Sequence, residues 1–344
     1  MPVNETLAHF SDMSYATAVV IYVLAMLLYF AEFAYGPQRV AKERAQSRAN
    51  EEATAKVAAG GGAGSESGDE TPAVGHVPTP RKRSLAQRLG GMAVALNVLG
   101  LLVHFASLTM RGLSVQRAPW GNMYEFGSSI CFAATLIWLV ILVRHLRAQR
   151  RAVEPARLRG LGGFVMLPIT VLLFLSGTLL YASAEPLQPA LQSYWIWIHV
   201  AAAIVSTGAL IFAGVASVLF LLRARHENNP LKMVRVGGRL PTSQALDRMA
   251  YRTTVFIMPV WTFAIVAGAI WAESAWGRFW GWDPKETCAF ISWVVYAAYL
   301  HARATAGWRG WKAAWVNILG LAVMIFNLFF INIVITGLHS YAGL

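Results

Sequence analysis

Charged residues and cysteines are scarce in this sequence. Asp, Glu, Lys and Arg make up 13% of the 344 residues, and the two cysteines, Cys131 and Cys288, both lie within apolar segments. The sequence contains no C-x-x-C pair, which excludes a disulfide framework and argues against thiol–disulfide exchange within the chain. It contains no C-x-x-C-H motif, so the chain does not itself carry a covalently attached haem. We expect both cysteines to be small apolar packing residues.

Hydrophobic residues dominate instead. They account for 56% of the sequence, and 13 residues are Trp. This composition is typical of a membrane protein that crosses the bilayer several times. The net charge of +12 suggests an anionic partner, but the basic residues lie in short loops between apolar runs and form no folded basic module. We therefore expect an all-α polytopic integral membrane protein that resides in the lipid bilayer and binds no nucleic acid.

Eight apolar runs are long enough to form transmembrane helices, which need about 20 residues each. The eight runs cover residues 14–35, 92–111, 123–143, 161–181, 195–222, 253–273, 286–303 and 313–337. The fifth run is longer than a bilayer requires, so we expect it to be tilted or to extend beyond the membrane.

The distribution of basic residues predicts the orientation, because cytoplasmic loops carry an excess of Lys and Arg. Of the 29 Lys and Arg residues, 25 lie in loops 36–91, 144–160, 223–252 and 303–313. The other four lie in the alternate loops: Arg111, Arg117, Arg278 and Lys285. We therefore expect the first set of loops to be cytoplasmic and both termini to lie outside.

The segment 41–83 has low complexity. It passes from an Ala-, Glu- and Arg-rich part, through a glycine-rich part, to an end rich in Pro, Lys and Arg. Such a composition cannot bury a core, so we expect disorder. The sequence then divides into a first transmembrane helix (1–36), a low-complexity cytoplasmic linker (37–91) and a seven-helix body (92–344).

The most aromatic segment is 276–286, Trp-Gly-Arg-Phe-Trp-Gly-Trp-Asp-Pro-Lys-Glu, which we call the tryptophan loop. It joins two apolar runs on the outer side and holds four aromatic rings in seven residues. An ordinary interfacial belt needs only one or two rings, and soluble domains rarely expose such a strip. If the segment is helical, Trp276 and Trp280 share one face. Together with Trp282, they form a platform suited to a flat apolar ligand.

The end of the tryptophan loop also has a structural interpretation. Asp283 suits the N-cap of the next helix, Pro284 suits the first helical position, and Glu286 completes a capping box. Lys285 and Arg278 are rare outer cations. They could pair with carboxylates of a bound ligand or with lipid phosphates, and the sequence does not choose between these partners.

A second outer loop, residues 118–125, has the sequence Ala-Pro-Trp-Gly-Asn-Met-Tyr-Glu. It brings another Trp and an acidic residue to the same surface. This loop could line a site or cap the third helix, and both interpretations stay open.

Two histidines are expected at the outer face. His199 lies near the start of the fifth run, and His339 follows the eighth run. They come from different helices at equal depth beside the tryptophan loop. Two imidazoles that approach from opposite sides can bind a haem iron axially. The alternative is that both are interfacial residues like the neighbouring Trp and Tyr.

Two further histidines lie at membrane depth. His301 ends the seventh run at the cytoplasmic side, where an ionisable residue is a functional candidate. It cannot share an iron with the outer pair across a core of about 30 Å, so haem binding there would be a second site. His104 lies in the middle of the second run, and it could be buried against a polar neighbour such as Asn97 or Asn327.

The tryptophan loop, with Trp293 after it, resembles the WWD signature of haem-handling membrane proteins. Among these, the sequence is similar to the CcsA/ResC family (called CcsB in some bacteria) of system II cytochrome c biogenesis. The resemblance covers residues 92–344. The motif W-G-x-x-W-x-W-D-P-K-E is long and unusual, and the closing G-L-H-S-Y matches the end of the family.

The resemblance implies a function. His199 and His339 would be the external axial ligands beside the loop, with Trp276, Trp280, Trp282 and Asp283 also at the haem site, and His301 would be the intramembrane ligand. The family moves haem b, bound non-covalently, from the inner site to the outer one in a bacterial plasma membrane. A ResB-like (CcsB-like) partner supplies the second inner histidine, and the apocytochrome's C-x-x-C-H thiols then attack the vinyl groups.

On this basis we expect the haem-handling half of a holocytochrome c synthase. No side chain of the chain would be a catalytic nucleophile, because the thiols come from the substrate, and catalysis would consist of positioning. Two rival functions stay open. One is a b-type haem protein for electron transfer, although the histidines at membrane depth are too few for two stacked haems. The other is a haem transporter without a lyase role.

Overall fold

The computed structural model describes residues 3–59, 84–149, 158–186, 192–335 and 337–339, with side chains left out at 37–59 and 148–149. The regular structure in these ranges is helical. A 3₁₀ turn covers Leu158–Leu161, and the α-helices are α1 (Glu5–Ala59), α2 (Leu85–Val115), α3 (Met123–Gln149), α4 (Gly162–Leu179), α5 (Tyr194–Asn228), α6 (Val234–Gly237), α7 (Ser243–Trp276), α8 (Pro284–Ala304) and α9 (Trp311–Val334).

Seven of the eight predicted spans are confirmed as helices long and apolar enough to cross a membrane. They are α1 as far as Gly36, α2, α3, α4 with the turn before it, α5, α7 and α9. The remaining predicted span, 286–303, is helix α8. Its 21 residues extend about 31 Å, which matches a bilayer core. It is more polar than the other seven and is not among them.

The prediction of disorder over 41–83 is wrong for residues 41–59, where α1 continues as a helix. Alanine, glutamate, lysine, arginine and glutamine fill this stretch, and all of them are good helix formers. Helix α2 also begins before the predicted span, at Leu85, with a capping box between Ser84 and Gln87. Residues 60–83 of the predicted linker lie outside the described residues, and the division into three segments stays a prediction.

Helix α1 packs along α2 and α4. Tyr15, Tyr22 and Tyr29 repeat every seven residues, which places them on one face of the helix, and each is buried. The hydroxyl of Tyr15 donates to the carbonyl of Leu173 in α4 at 2.5 Å. The first helix is thus packed into the same bundle as its neighbours.

Helix α5 is the central helix of the second half. It packs against α7, α3 and α9, while α8 packs mainly against α9. The approach to α3 is close at Gly208, where a Cβ atom would lie 2.9 Å from the backbone nitrogen of Ala134. This arrangement brings the start of α5, the end of α7, the start of α8 and the end of α9 around one cavity.

Candidate functional site

The connection between α7 and α8 places the tryptophan loop at the mouth of this cavity. Helix α7 ends at Trp276, followed by Gly277 with a left-handed φ of 69°. Helix α8 begins with the predicted capping box, in which Asp283 and Glu286 accept reciprocal backbone hydrogen bonds. The predicted box is therefore confirmed. The residues between the helices are not helical, so Trp276 and Trp280 do not share a helix face.

His199 and His339 line the same cavity. Nδ1 of His199 lies 2.7 Å from the carbonyl oxygen of Ala264 in α7, and Nδ1 of His339 lies 2.8 Å from a carboxylate oxygen of Asp283. Both oxygens can only accept, so each Nδ1 carries the hydrogen. In the neutral form of either ring, the lone pair is then on Nε2. This is the arrangement that protein histidines adopt as metal ligands, with Nδ1 anchored by a carbonyl or carboxylate.

Asp283 has two roles at once. Its Oδ1 binds His339 and accepts from the N–H of Lys285, and its Oδ2 accepts from the N–H of Leu338 at 2.9 Å. Burial opposes ionisation of this carboxyl, but the hydrogen bond and charge interaction with His339 and the two backbone donors outweigh it and lower its pKa. The N-cap of α8 thereby also holds the segment that carries His339.

Trp271 contacts both histidines and was missed in the sequence. Its indole is 2% exposed, stacks on His199 with ring centroids 6.2 Å apart, and meets the edge of His339 at 5.6 Å. Trp276 packs against both Trp271 and His339. One feature of the sequence could have identified Trp271. It follows Gly268 by three residues on α7 and therefore lies on the same helix face.

The cavity contains about 860 Å³ of space, part of it open to solvent, and its walls are mostly apolar. Trp280 and Phe279 line it at the outer end, and Trp261 and Ser292 line it more deeply. Trp282 is 67% exposed and packs against Trp280 and Phe290. Of the three predicted loop tryptophans, Trp280 thus lines the cavity, Trp276 supports His339, and Trp282 lies outside.

The second outer loop, residues 118–125, both caps a helix and lines the site. Asn122 accepts the N–H of Glu125 at the start of α3, while Trp120, Gly121 and Met123 line the side of the cavity next to His199. Buried Glu125 holds the loop by accepting from Gly121 N and from the guanidinium groups of Arg111 and Arg117. The two interpretations left open by the sequence therefore apply together.

The other histidines lie elsewhere. His301 is exposed near the end of α8, about 27 Å along the helix axis from Asp283. His104 is buried between α1, α2 and α3. Its ring nitrogens face Ser128 at 2.8 Å and Tyr22 at 3.4 Å. The suggested partners Asn97 and Asn327 were wrong, because the side chain of Asn97 instead contacts Met166.

The site has the chemistry to hold a flat, metal-containing ring. It offers two imidazoles whose neutral forms have Nε2 as the ligating atom, with aromatic walls around them. The cation Arg278 is already paired with Glu286 at 3.2 Å, whereas Lys285 lines the cavity itself. Fold and site together define a polytopic helical membrane protein with a paired-imidazole cavity at one end.

The chain belongs to the cytochrome c assembly protein family, whose model matches residues 95–339. It is 35% identical over 277 residues to the cytochrome c biogenesis protein CcsA of Parasynechococcus marenigrum, covering 74% of this chain and 88% of that protein. It is 32% identical over 265 residues to CcsA of Chlamydomonas reinhardtii, covering 75% and 71%. The chain is therefore a multi-pass membrane protein of cytochrome c biogenesis, as the resemblance implied.

The fold is also similar to that of a solved protein, the cytochrome c haem lyase CcmF. The two superpose with a TM-score of 0.58 at 16% sequence identity, over 96% of this chain and 47% of that chain. The chain thus spans about half of that larger protein, and the likeness concerns the fold alone.

Proposed function

We propose that this chain exports haem b across the membrane and presents it, held non-covalently in the outer cavity, to apocytochrome c for thioether attachment. One observation carries the proposal. His199 lies near the start of α5 and His339 follows α9, yet both line one cavity with Nδ1 anchored and, in the neutral ring, Nε2 as the ligating nitrogen. Two interfacial histidines without a ligand would not need matched tautomers in a shared aromatic cavity.

The residues of this chain act by holding and positioning. Bound haem supplies two vinyl groups, across which the S–H bonds of the C-x-x-C-H motif add to form thioethers. Asp283 and Ala264 fix the two imidazole rings, so little entropy is lost when both ligate. Trp271 and Trp280 wall the cavity against water. The cavity thus forms the haem-handling half of a holocytochrome c synthase.

The inner half of the proposal concerns His301. Its exposed position on α8 suits an axial ligand that shares haem with a histidine of a ResB-like partner in the same membrane. In the proposed orientation, the basic loops face the cytoplasm of a bacterial cell and the tryptophan loop faces outward. Haem would then enter near His301 and leave near His339.

The test is maturation of a reporter cytochrome c in cells that carry single variants. His199→Ala or His339→Ala should abolish maturation, and added imidazole should restore part of it by filling the empty axial position. His9→Ala, at an exposed residue of the N-terminal segment, is the matched control and should mature the reporter normally. Normal maturation in either cavity variant would refute the proposed ligands.

Two other outcomes would point to the rival functions. A reversible, cyanide-resistant redox signal coupled to quinol oxidation would indicate a b-type electron-transfer protein. Rescue of a deletion strain by haem supplied on the outer side alone would indicate a transporter without a lyase role.

A further inference from the structure

Lys285 lies where three neighbouring cavities meet. It lines the main cavity with His199 and His339, the adjoining space next to the 118–125 loop, and a small gap between α8 and α9. His339 is the other residue that lines all three. The side chain is therefore directed into the bundle, toward the space beside the histidines.

The hydrogen-bond partners of the Lys285 ammonium group are neutral. Nζ donates to Oδ1 of Asn332 in α9 at 2.5 Å and lies 3.3 Å from the sulfur of Met123 in α3. Asn332 is 8% exposed and is itself held by the backbone of α9. The amide thus fixes the direction of the ammonium without neutralising its charge.

The two acidic residues of the same helical turn make their closest contacts elsewhere. Asp283 pairs with His339 at 2.8 Å, and Glu286 pairs with Arg278 at 3.2 Å. Asp283 is near enough to attract the Lys285 ammonium, but within the described part of the chain Lys285 forms no direct ion pair with a carboxylate. A cation that is partly buried beside an apolar cavity is costly without a directly bound anion, so a ligand carboxylate at this position would stabilise it.

We propose that Lys285 binds a propionate of haem and that Asn332 is the residue that positions it. This inference rests on the proposed function, because it places haem in the cavity. It also resolves the choice that the sequence left open between ligand carboxylates and lipid phosphates. Lipid phosphates attract side chains that extend outward to the headgroups, whereas Lys285 points inward to Asn332.

A propionate bound at Lys285 sets the orientation of haem within the cavity. Two axial imidazoles fix the plane of the ring but leave it able to rotate about the axis through the iron. The propionates and vinyl groups lie on different edges of the porphyrin, so a propionate held at Lys285 fixes the position of the vinyl edge. Lys285 then determines which edge an apocytochrome meets, which the histidines cannot do.

Binding of two ligands to the full-length purified protein in detergent tests this inference. One ligand is haemin, and the other is haemin dimethyl ester, in which both propionates are esterified. Titrations are followed by the absorption spectrum for wild type, Lys285→Gln, Lys285→Arg and the control Lys232→Gln, which changes an exposed loop lysine. Lys285→Gln should weaken haemin binding roughly tenfold, the effect of losing one charge-assisted hydrogen bond, and leave the diester unchanged. Lys285→Arg should keep most of the preference for haemin.

Three outcomes would count against the inference. Equal weakening of both ligands by Lys285→Gln would mean that Lys285 only braces α8 against α9. No weakening of either ligand, or equal binding of both ligands by wild type, would mean that no propionate is bound there. If wild type bound neither ligand with the spectrum of paired histidine ligation, the proposed function itself would fail. If paired histidine ligation persisted but wild type bound haemin and its diester equally, only the proposed role of Lys285 would be refuted.

Discussion

At the scale of single residues, the two histidines are defined by what holds their Nδ1 atoms. Ala264 provides a helix carbonyl four residues before Gly268, and Asp283 provides a helix N-cap. The positions of the two histidines at the ends of predicted helices were enough to place both imidazoles at one membrane surface. They did not identify the hydrogen-bond partner of either ring. Neither partner is a neighbour of its histidine in sequence: the separations are 65 and 56 residues. The tautomer at this site is therefore a property of the packed structure.

Gly268 leaves the space that the His199 ring occupies. A Cβ atom at this position would lie 2.6 Å from Nδ1 of His199, well inside contact distance. We therefore expect Gly268→Ala to displace the ring and to lower the haem that co-purifies with the protein by at least tenfold, as loss of an anchoring partner does at other metal sites. The measurement is haem content and absorption spectrum after purification.

Gly91→Ala is the matched control for this substitution. It also replaces a glycine in a helix, but nothing lies within 4 Å of the added Cβ, and alanine is the better helix former. Its haem content should equal that of wild type. Unchanged haem in Gly268→Ala would mean that His199 does not ligate from the position that the structure gives it.

At the scale of elements, the 118–125 loop is held in place by a buried ionic cluster. Arg111 in α2 and Glu125 in α3 are 2% and 1% exposed, and Arg117 from the loop between these helices joins them. Asp12 of α1 also contacts Arg111. The cluster therefore connects three helices and the 118–125 loop, whose Trp120 packs against Trp197 of α5.

Glu125→Gln should destabilise this cluster strongly. Removing one partner of a buried ionic group leaves the other charges uncompensated, which costs about 3–5 kcal/mol. We expect a clear fall in the thermal unfolding temperature of the purified protein. The matched control is Glu227→Gln, which removes a more exposed i,i+4 pair with Arg223 worth less than about 1 kcal/mol. Equal unfolding temperatures for the two variants would show that the cluster does not support the loop.

At the scale of the whole molecule, the sequence was sufficient to locate the eight long helices in the described part of the chain. The hydropathy and length of each apolar run determine where a membrane helix forms, and the capping box at Asp283 could be predicted from neighbouring residues alone. Contacts between helices that are distant in sequence could not be predicted. Trp271, the carbonyl of Ala264 and the partners of His104 depend on how α1, α5 and α7 pack. The continuation of α1 to residue 59 was missed because low complexity was taken as disorder, although its residues favour a helix.

The proposed two sites make a prediction about the whole complex. His301 lies about 27 Å from the other end of α8, too far to contact the residues around His199 and His339, so the two sites should bind haem independently. The proposed route nevertheless fills the outer site by way of the inner one. In the complex purified with its partner, His301→Ala should therefore remove inner haem and deplete the outer site, and haem supplied from outside should refill the outer site alone. His339→Ala should leave the inner haem in place, and the double variant should hold no haem. Haem counts per complex, measured as the pyridine haemochrome, distinguish these variants. If His301→Ala left the count unchanged, the inner site would have to be withdrawn. If the outer spectrum persisted in His301→Ala without added haem, the outer cavity would not depend on delivery from the inner one.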